Sequence, residues 1–305
     1  MRKLFMAVVP LCSVMAVHAT DAIANPQDCQ ILSGEYAAAK PGERGPNLNN
    51  YVFRAADKGC TGLMATLLED GGSVVMRRTA GETALHHAAT SGEVQVARLL
   101  LDKGADINER DLKGSTPLFL AAEANRAPMV TFLLERHADP TIAGRSDVTP
   151  LSAAVFNGSE PVVSAFLAAG ADAKAVDGTG KSAIIYAANR GFTKIVARLL
   201  SAGVDANATY AHGLTAMMWA AGYAEDVPEA DGLATVTLLL DKGAKLDEVD
   251  DRGYSALMTA AGLGHEAVVR LLATRGASTA ITGKDGKTAT ALAASDATKA
   301  ALAGK

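Results

Sequence analysis

The chain is poor in charge, in aromatic residues and in cysteine. It has 29 Lys and Arg against 33 Asp and Glu, a net charge of −4, and no basic stripe. Nucleic acids and anionic membranes require clustered Lys and Arg, so neither is an expected partner. Aromatic residues make up 5% of the chain, with one Trp, and the three cysteines contain no Cys-x-x-Cys pair. With 49% apolar residues, the chain is nevertheless typical of a globular protein with a large core.

Motifs of enzymes and metal sites are also absent or incomplete. No Gly-x-Ser-x-Gly elbow occurs, and residues 178–182 resemble the end of a phosphate-binding loop in which Ala175 replaces the leading Gly. His265-Glu266 begins a helical zinc motif, but Val269 stands where the second His is needed. His86 and His87 are adjacent, so on a helix they point in different directions. We therefore expect no catalytic residue, no metal and no cofactor.

The first 24 residues have the pattern of a secretory signal peptide. Arg2 and Lys3 precede an apolar run from Leu4 to Val17, and small residues suited to cleavage follow at Ala19 and Ala24. About 14 apolar residues are too few for a membrane span, which needs roughly 20. We expect cleavage after residue 24, which gives a mature chain of charge −5, or after residue 19. The mature protein is expected in the periplasm or outside the cell, with no membrane anchor.

A short sequence motif built around Thr or Ser recurs along the rest of the chain. Examples are 81–85 (Gly-Glu-Thr-Ala-Leu), 114–118 (Gly-Ser-Thr-Pro-Leu) and 213–217 (Gly-Leu-Thr-Ala-Met), and the steps between the Thr or Ser residues are 33, 33, 33, 33, 40 and 33. A fixed period of this length predicts a solenoid of stacked units. The longer step indicates one seven-residue insertion.

Each unit reads as two helices joined by tight turns. The Thr or Ser is suited to cap a first helix, and an Ala-Ala pair follows five and six residues later, as at Ala88-Ala89. A Gly three residues further on permits a chain reversal, for which Asn125 substitutes once. A second helix with one apolar face then ends at another Gly, such as Gly170, or at His137.

These residues, in this order, resemble the ankyrin repeat, whose signature is a Thr-Pro-Leu-His-x-Ala-Ala helix start and a Leu-Leu-x-x-Gly-Ala-Asp helix end. The resemblance, which extends to exported bacterial members of the family, covers roughly residues 48 to 303. It implies an all-α ankyrin-repeat solenoid of helix-turn-helix units with β-hairpin-like tips. We expect about eight repeats including atypical end repeats, within a domain over 48–305 that follows a leader over 25–47. Repeat starts are predicted near 48, 81, 114, 147, 180, 213, 253 and 286.

One departure from the family concerns polar contacts between units. The His of the helix start is retained only as His86, and mostly apolar residues replace it elsewhere. We expect apolar packing to take over that role.

Ankyrin repeats bind partner proteins on their concave face and rarely catalyse a reaction. The contact residues lie beside the Gly of the helix start and just after the Ala-Ala pair. In this sequence those positions are Lys113, Glu123, Arg145, Phe156, Asn157, Arg190, His212, Leu214, Tyr223, Arg252 and Tyr254. Their Phe, Tyr and Arg residues are types enriched at interface hot spots.

Two cysteines remain after signal cleavage, Cys29 in the leader and Cys60 in the first unit. In an oxidising compartment such a pair often forms a disulfide, which would fasten the leader over the first repeat. Sequence leaves open whether their Cα atoms lie within bridging distance, so two free thiols remain the alternative.

The seven-residue insertion falls within residues 222–232, which hold Glu225, Asp226, Glu229 and Asp231. We interpret it as a solvated acidic bulge in the turn between two helices, with a calcium site as the alternative. Trp219, just before it, is expected to pack in the core, or else to contact a ligand.

The sequence thus predicts a non-catalytic, monomeric scaffold that binds a protein of unknown identity. Alternatives are an accessory protein that supports a periplasmic client enzyme, for example in oxidative-stress defence, and a secreted effector that binds host proteins. A more distant alternative is a hydrolase built around Asp226, Glu229 or the His86-His87 pair.

Overall fold

Residues 25–39 and 41–303 are described by a computed structural model of the chain, in which helices are joined by turns. The predicted signal peptide, residues 1–24, lies outside the described residues. No helix in the described ranges is both long enough and apolar enough to cross a bilayer.

Sixteen of the helices form eight pairs, one pair for each unit. The first helices of the pairs are α2 (Pro41–Lys58), α4 (Ala84–Ser91), α6 (Pro117–Glu123), α8 (Pro150–Phe156), α10 (Ala183–Asn189), α12 (Ala216–Ala221), α14 (Ala256–Leu263) and α16 (Ala289–Leu292). The second helices are α3 (Thr61–Glu69), α5 (Val94–Asp102), α7 (Ala127–Glu135), α9 (Glu160–Ala168), α11 (Thr193–Ser201), α13 (Glu229–Asp241), α15 (Glu266–Thr274) and α17 (Asp296–Ala303). One further helix, α1 (Pro26–Ala38), precedes the array.

The repeated Thr or Ser caps most of the first helices, as the sequence predicts. Thr116 Oγ1 accepts a hydrogen bond from the Phe119 amide at 3.2 Å, and Thr149 Oγ1 accepts one from Ser152 at 3.1 Å. Pro117 and Pro150 follow these caps, where the missing N–H costs nothing. Local sequence therefore determines where these helices begin.

His86 makes a polar contact between units from the helix start, where the other units have no His. Its Nδ1 lies 2.8 Å from Thr83 Oγ1, and its Nε2 lies 3.1 Å from the carbonyl oxygen of Ser115 in the next unit. Burial lowers the pKa of His86, against the opposing effect of the bond to Ser115. His87 instead contacts Asp57 at 2.7 Å, so the two histidines serve separate contacts.

The turns at both ends of the second helices require left-handed backbone. Gly170, just beyond α9, has φ of 80°, and Asn125 and His137, which replace Gly elsewhere, have φ of 55° and 64°. The predicted helix ends are thus confirmed, including the two positions where a side chain is accommodated.

Neighbouring units pack first helix on first helix and second helix on second helix. Six of the Ala-Ala pairs, such as Ala88-Ala89 and Ala187-Ala188, have no exposed surface, and this allows close approach; Ala293-Ala294 of the last unit is partly exposed. The tips are turns rather than extended hairpins: in the described residues the β pairing is limited to single bridges, Val176 with Ser182 and Thr209 with Thr215. The architecture is the predicted all-α solenoid.

The N-terminal end of the array is covered by α1. Leu32 and Tyr36 of α1 are buried in the core. Cys29 of α1 is joined by a disulfide to Cys60, with 5.2 Å between the Cα atoms, and Asp28 pairs with Lys58 at 3.1 Å. The leader predicted over 25–47 is therefore helical where it is described, and the predicted start of the first unit near 48 falls inside α2, which begins at Pro41.

The left-handed end of α9 gives a direct test of backbone strain. Gly170→Ala should lower the free energy of unfolding by about 1 kcal/mol, because the added Cβ meets open space and only the conformation penalises it. Gly34→Ala, inside α1 and equally uncrowded, should raise it by about 0.5 kcal/mol. Urea denaturation followed by circular dichroism measures both. Equal effects of the two substitutions would contradict the assignment.

The Cys29–Cys60 disulfide predicts a stability that depends on redox state. In the chain-entropy picture a loop of about 32 residues stabilises the folded state by roughly 3 to 4 kcal/mol. Mature protein should show no free thiol before reduction and two after it, and reduction should lower the denaturation midpoint. The double variant Cys29→Ser/Cys60→Ser should match the reduced protein and show no response to reductant. Two free thiols in unreduced protein would refute the bond.

Candidate protein-binding surface

The tips and the first helices together form one long surface, which we call the inner surface. It corresponds to the concave face expected from the resemblance, and the second helices lie on the other side of the array. Most of the sequence-predicted contact residues lie on the tips or at the ends of the first helices. The inner surface is therefore the place to look for a binding site.

Three aromatic side chains from consecutive units form a stripe along the inner surface. Phe156 ends α8 and is 40% exposed, while Tyr186 of α10 and Trp219 of α12 are half-buried. The rings of Phe156 and Tyr186 meet edge to face, with centroids 6.2 Å apart. Lys181 places its ammonium 5.2 Å from the Trp219 ring and 6.0 Å from the Tyr186 ring. We call Phe156, Tyr186 and Trp219 the aromatic stripe.

Asp177 fixes the central ring of the stripe. Its Oδ2 accepts a short hydrogen bond from the Tyr186 hydroxyl, and its Oδ1 accepts bonds from the amides of Thr179 at 2.7 Å and Lys181 at 3.1 Å. Burial alone would raise the pKa of Asp177, but the bonds from Tyr186 and Thr179 outweigh it and lower the pKa. Burial and the same bond raise the pKa of Tyr186. The phenol is thus held as a neutral donor to a carboxylate, which orients its ring.

The same carboxylate explains the resemblance of residues 178–182 to a phosphate-binding loop. The amides of Thr179 and Lys181, which a phosphate would need, already donate to Asp177. The segment is a repeat tip, and the same Gly-Lys-Ser/Thr sequence recurs at 286–288 in the last tip.

Several predicted residues meet beside Phe156. Arg145 pairs with Glu123 at 2.5 Å across two units, and Asn157 donates to the carbonyl oxygen of Glu123 at 2.6 Å. Burial raises the pKa of Glu123, and the charge of Arg145 opposes this shift. The structure therefore brings Glu123, Arg145 and Asn157 together, and Phe156 precedes Asn157 in the chain.

The other predicted residues are spread along the array. Arg190 pairs with Asp226 at 2.8 Å, and Arg252 pairs with Asp250 at 2.7 Å while stacking over Tyr254. The Tyr254 hydroxyl donates to Asp285 at 2.8 Å. Lys113 and His212 are exposed on their tips.

Two predicted contact residues are buried and are corrected here. Leu214 is 9% exposed and belongs to the core, and Tyr223 is 8% exposed. Tyr223 stacks on His265, with centroids 3.8 Å apart, and its ring lies so close to Gly232 that a Cβ there would be 2.3 Å away. Both residues stabilise the array rather than face a partner.

The acidic insertion is held against the preceding unit. The Ala224 amide donates to the Asn189 carbonyl oxygen at 3.0 Å, and Asp226 pairs with Arg190. Glu229 and Asp231 do not lie in the turn, because they form the first turn of α13. Their charges suit the positive end of that helix. Within the described ranges no cluster of His, Cys, Asp and Glu is placed to hold a metal ion.

Sequence reasoning missed Lys181 and Tyr186 as surface residues. Its expectation that Trp219 packs in the core agrees in part with the structure, because Trp219 is half-buried against the core. Tyr186 and Trp219 share one position in their units, four residues after the capping Ser182 or Thr215. A half-buried position that recurs every 33 residues on the first helix was therefore available as a signal. The contacts of these rings with Lys181 and Asp177 depend on the geometry of the tip, so the sequence carries no signal for them.

This arrangement defines a helical repeat solenoid with a binding surface made of tips and first helices. A family model described as ankyrin repeats (3 copies) matches residues 49–144, 151–229 and 229–302. The chain belongs to the ankyrin-repeat family. Members generally mediate protein–protein interactions and are generally non-catalytic, which indicates a protein-binding scaffold.

A curated protein of Treponema pallidum (strain Nichols), named as an ankyrin repeat-containing protein, is 38% identical over 86 residues. The match covers 24% of this chain and 29% of that protein. The similarity is therefore local and covers less than a third of either protein.

The burial of Tyr223 and the exposure of Phe156 predict opposite roles for these aromatic residues. Tyr223→Ala should destabilise the protein by about 3 kcal/mol, since it leaves a cavity next to His265 and Gly232. Phe156→Ala should cost less than about 1 kcal/mol, because much of its ring is already in water. Thermal denaturation of the two variants checks this, and an equal loss would show that the stripe is part of the core.

Proposed function

We propose that this chain is an exported, non-catalytic scaffold that binds a partner protein on its inner surface, with the aromatic stripe at the centre of the contact. The observation that carries this proposal is the stripe itself: three aromatic side chains from consecutive units, with the middle ring fixed by Asp177. Aromatic residues that are already ordered lose little entropy on binding, so they contribute strongly to affinity.

The flanking charge pairs support this arrangement. Arg145 pairs with Glu123, whose carbonyl oxygen accepts a bond from Asn157, the residue that follows Phe156. Arg190, which follows α10, pairs with Asp226. Their side chains are partly exposed, so they form a polar rim around an apolar centre, which is the usual anatomy of a protein interface.

Export to the periplasm or the cell exterior is part of the same proposal. The basic and apolar pattern of residues 1–24 is that of a signal peptide. A disulfide between Cys29 and Cys60 persists only in an oxidising compartment, which is consistent with export.

Partner capture tests the function. Oxidised protein beginning at residue 25 is immobilised and incubated with periplasmic extract and culture medium of the native host. A specific partner should be retained by the wild type and reduced at least tenfold by Phe156→Ala, which is about 1.4 kcal/mol of binding free energy.

Ile31→Ala provides the matched control. Ile31 is an apolar residue of α1 that is 54% exposed and distant in sequence from the stripe. Partner retention should be unchanged in this variant. Equal capture by the wild type and both variants would place binding elsewhere and would refute the inner surface as the working surface.

A further inference from the structure

We propose that the aromatic stripe and Lys181 form a site for an acidic, apolar peptide segment of the partner protein. One carboxylate of the segment pairs with the Lys181 ammonium, and a neighbouring aromatic or aliphatic side chain covers Phe156 and Tyr186. The inference rests on the proposed function and adds the chemistry of the partner.

Lys181 is the cation of the stripe, and its charge is not matched within the described residues. Its ammonium faces the Trp219 and Tyr186 rings and forms no ion pair there. Asp177, the nearest acid in sequence, is already occupied by the Tyr186 hydroxyl, by Thr179 and by the backbone amide of Lys181. An ammonium between two aromatic faces is partly desolvated, so a carboxylate that reaches it gains more than it would in open water.

The three arginines among the predicted contact residues differ in this respect. Arg145 pairs with Glu123, Arg190 with Asp226, and Arg252 with Asp250. Lys113, two units nearer the N-terminus, lies close enough to Glu123 to lower the pKa of that carboxyl group, although burial raises it overall. Charge complementarity at the stripe therefore points to one negative group, placed at Lys181.

The aromatic faces also admit a nucleotide, in which a base stacks and a phosphate meets the lysine. The tip disfavours this occupant, because the amides that would help to hold a phosphate donate to Asp177. A single lysine matches one carboxylate better than a multiply charged phosphate chain. The peptide is thus the occupant that the contacts favour.

The stripe also sets the length of the segment. It runs over three consecutive units, and helices that pack side by side are about 10 Å apart, so its span is roughly 20 Å. An extended chain advances about 3.3 Å per residue, which corresponds to about six residues. The segment is therefore short and extended.

Selection from a random peptide library tests the chemistry without knowing the partner. A displayed library of 12-residue peptides without Trp is panned against oxidised protein beginning at residue 25. Selected peptides are synthesised and titrated while the emission of Trp219, the one Trp in the chain, is recorded. We expect selected peptides to carry Asp or Glu beside an aromatic or aliphatic residue and to change the Trp219 emission.

Variants of two lysines from the same tip region separate charge at the site from general charge. Lys181→Gln should weaken binding of the selected peptides at least tenfold, whereas Lys174→Gln, which changes an exposed lysine, should leave it within twofold. Lys181→Glu should bind peptides whose Glu is replaced by Lys better than it binds the originals. Circular dichroism confirms that each variant is folded.

The possible failures are distinguishable. Peptides that lack acids, or that bind Lys181→Gln normally but lose affinity for Phe156→Ala, would overturn the acidic partner and leave the protein-binding stripe intact. Peptides that bind both variants normally without changing the Trp219 emission would count against the inference and against the proposed function. Binding of adenosine monophosphate at the stripe, or a selection that yields no peptide, would also overturn the inference.

Discussion

Close contact between the first helices of neighbouring units determines the geometry of the whole array. Six Ala-Ala pairs are fully buried there, Ala154-Val155 takes their place in α8, and much larger side chains would push the helices apart. Because each unit contacts only its neighbours, this one distance fixes the step from tip to tip. It therefore also fixes the spacing of Phe156, Tyr186 and Trp219, which come from three different units. The spacing of this candidate surface depends on buried alanines, which a partner protein cannot contact.

Much of the fold could be predicted because its signals are local and periodic. The Thr or Ser caps, the Ala-Ala pairs and the left-handed turns each act within one unit and recur at a fixed step. The beginning of α2 at Pro41 could not be predicted in this way, because the first unit lacks the Thr cap and α1 takes the place of a preceding unit. The position of a residue within the repeat does not show which segment covers the end of the array.

The candidate site was predicted in part, and the errors have a common cause. Phe156, Arg145 and Glu123 follow from their positions in the repeat, and the ion pair between Arg145 and Glu123 agrees with that interpretation. Leu214 shares its repeat position with Tyr254, and Tyr223 shares its position with Asn157, yet the core and the insertion cover Leu214 and Tyr223. Exposure depends on the neighbouring units, so one unit's sequence cannot determine it. The bond from Tyr186 to Asp177 likewise depends on the backbone path of the tip.

The two ends of the array are held unequally. A covalent bond, an ion pair and buried side chains close the N-terminal end, whereas α16 has four residues and leaves much of its length exposed. Each unit is stabilised by its neighbours, and the unit of α16 and α17 is held by packing without a covalent bond. We therefore expect local opening to be easier at α16 and α17 than at α1, which the disulfide joins to the turn after α2. A protease or unfolding machine acting from the C-terminal side meets the units one at a time and reaches the stripe before the locked end.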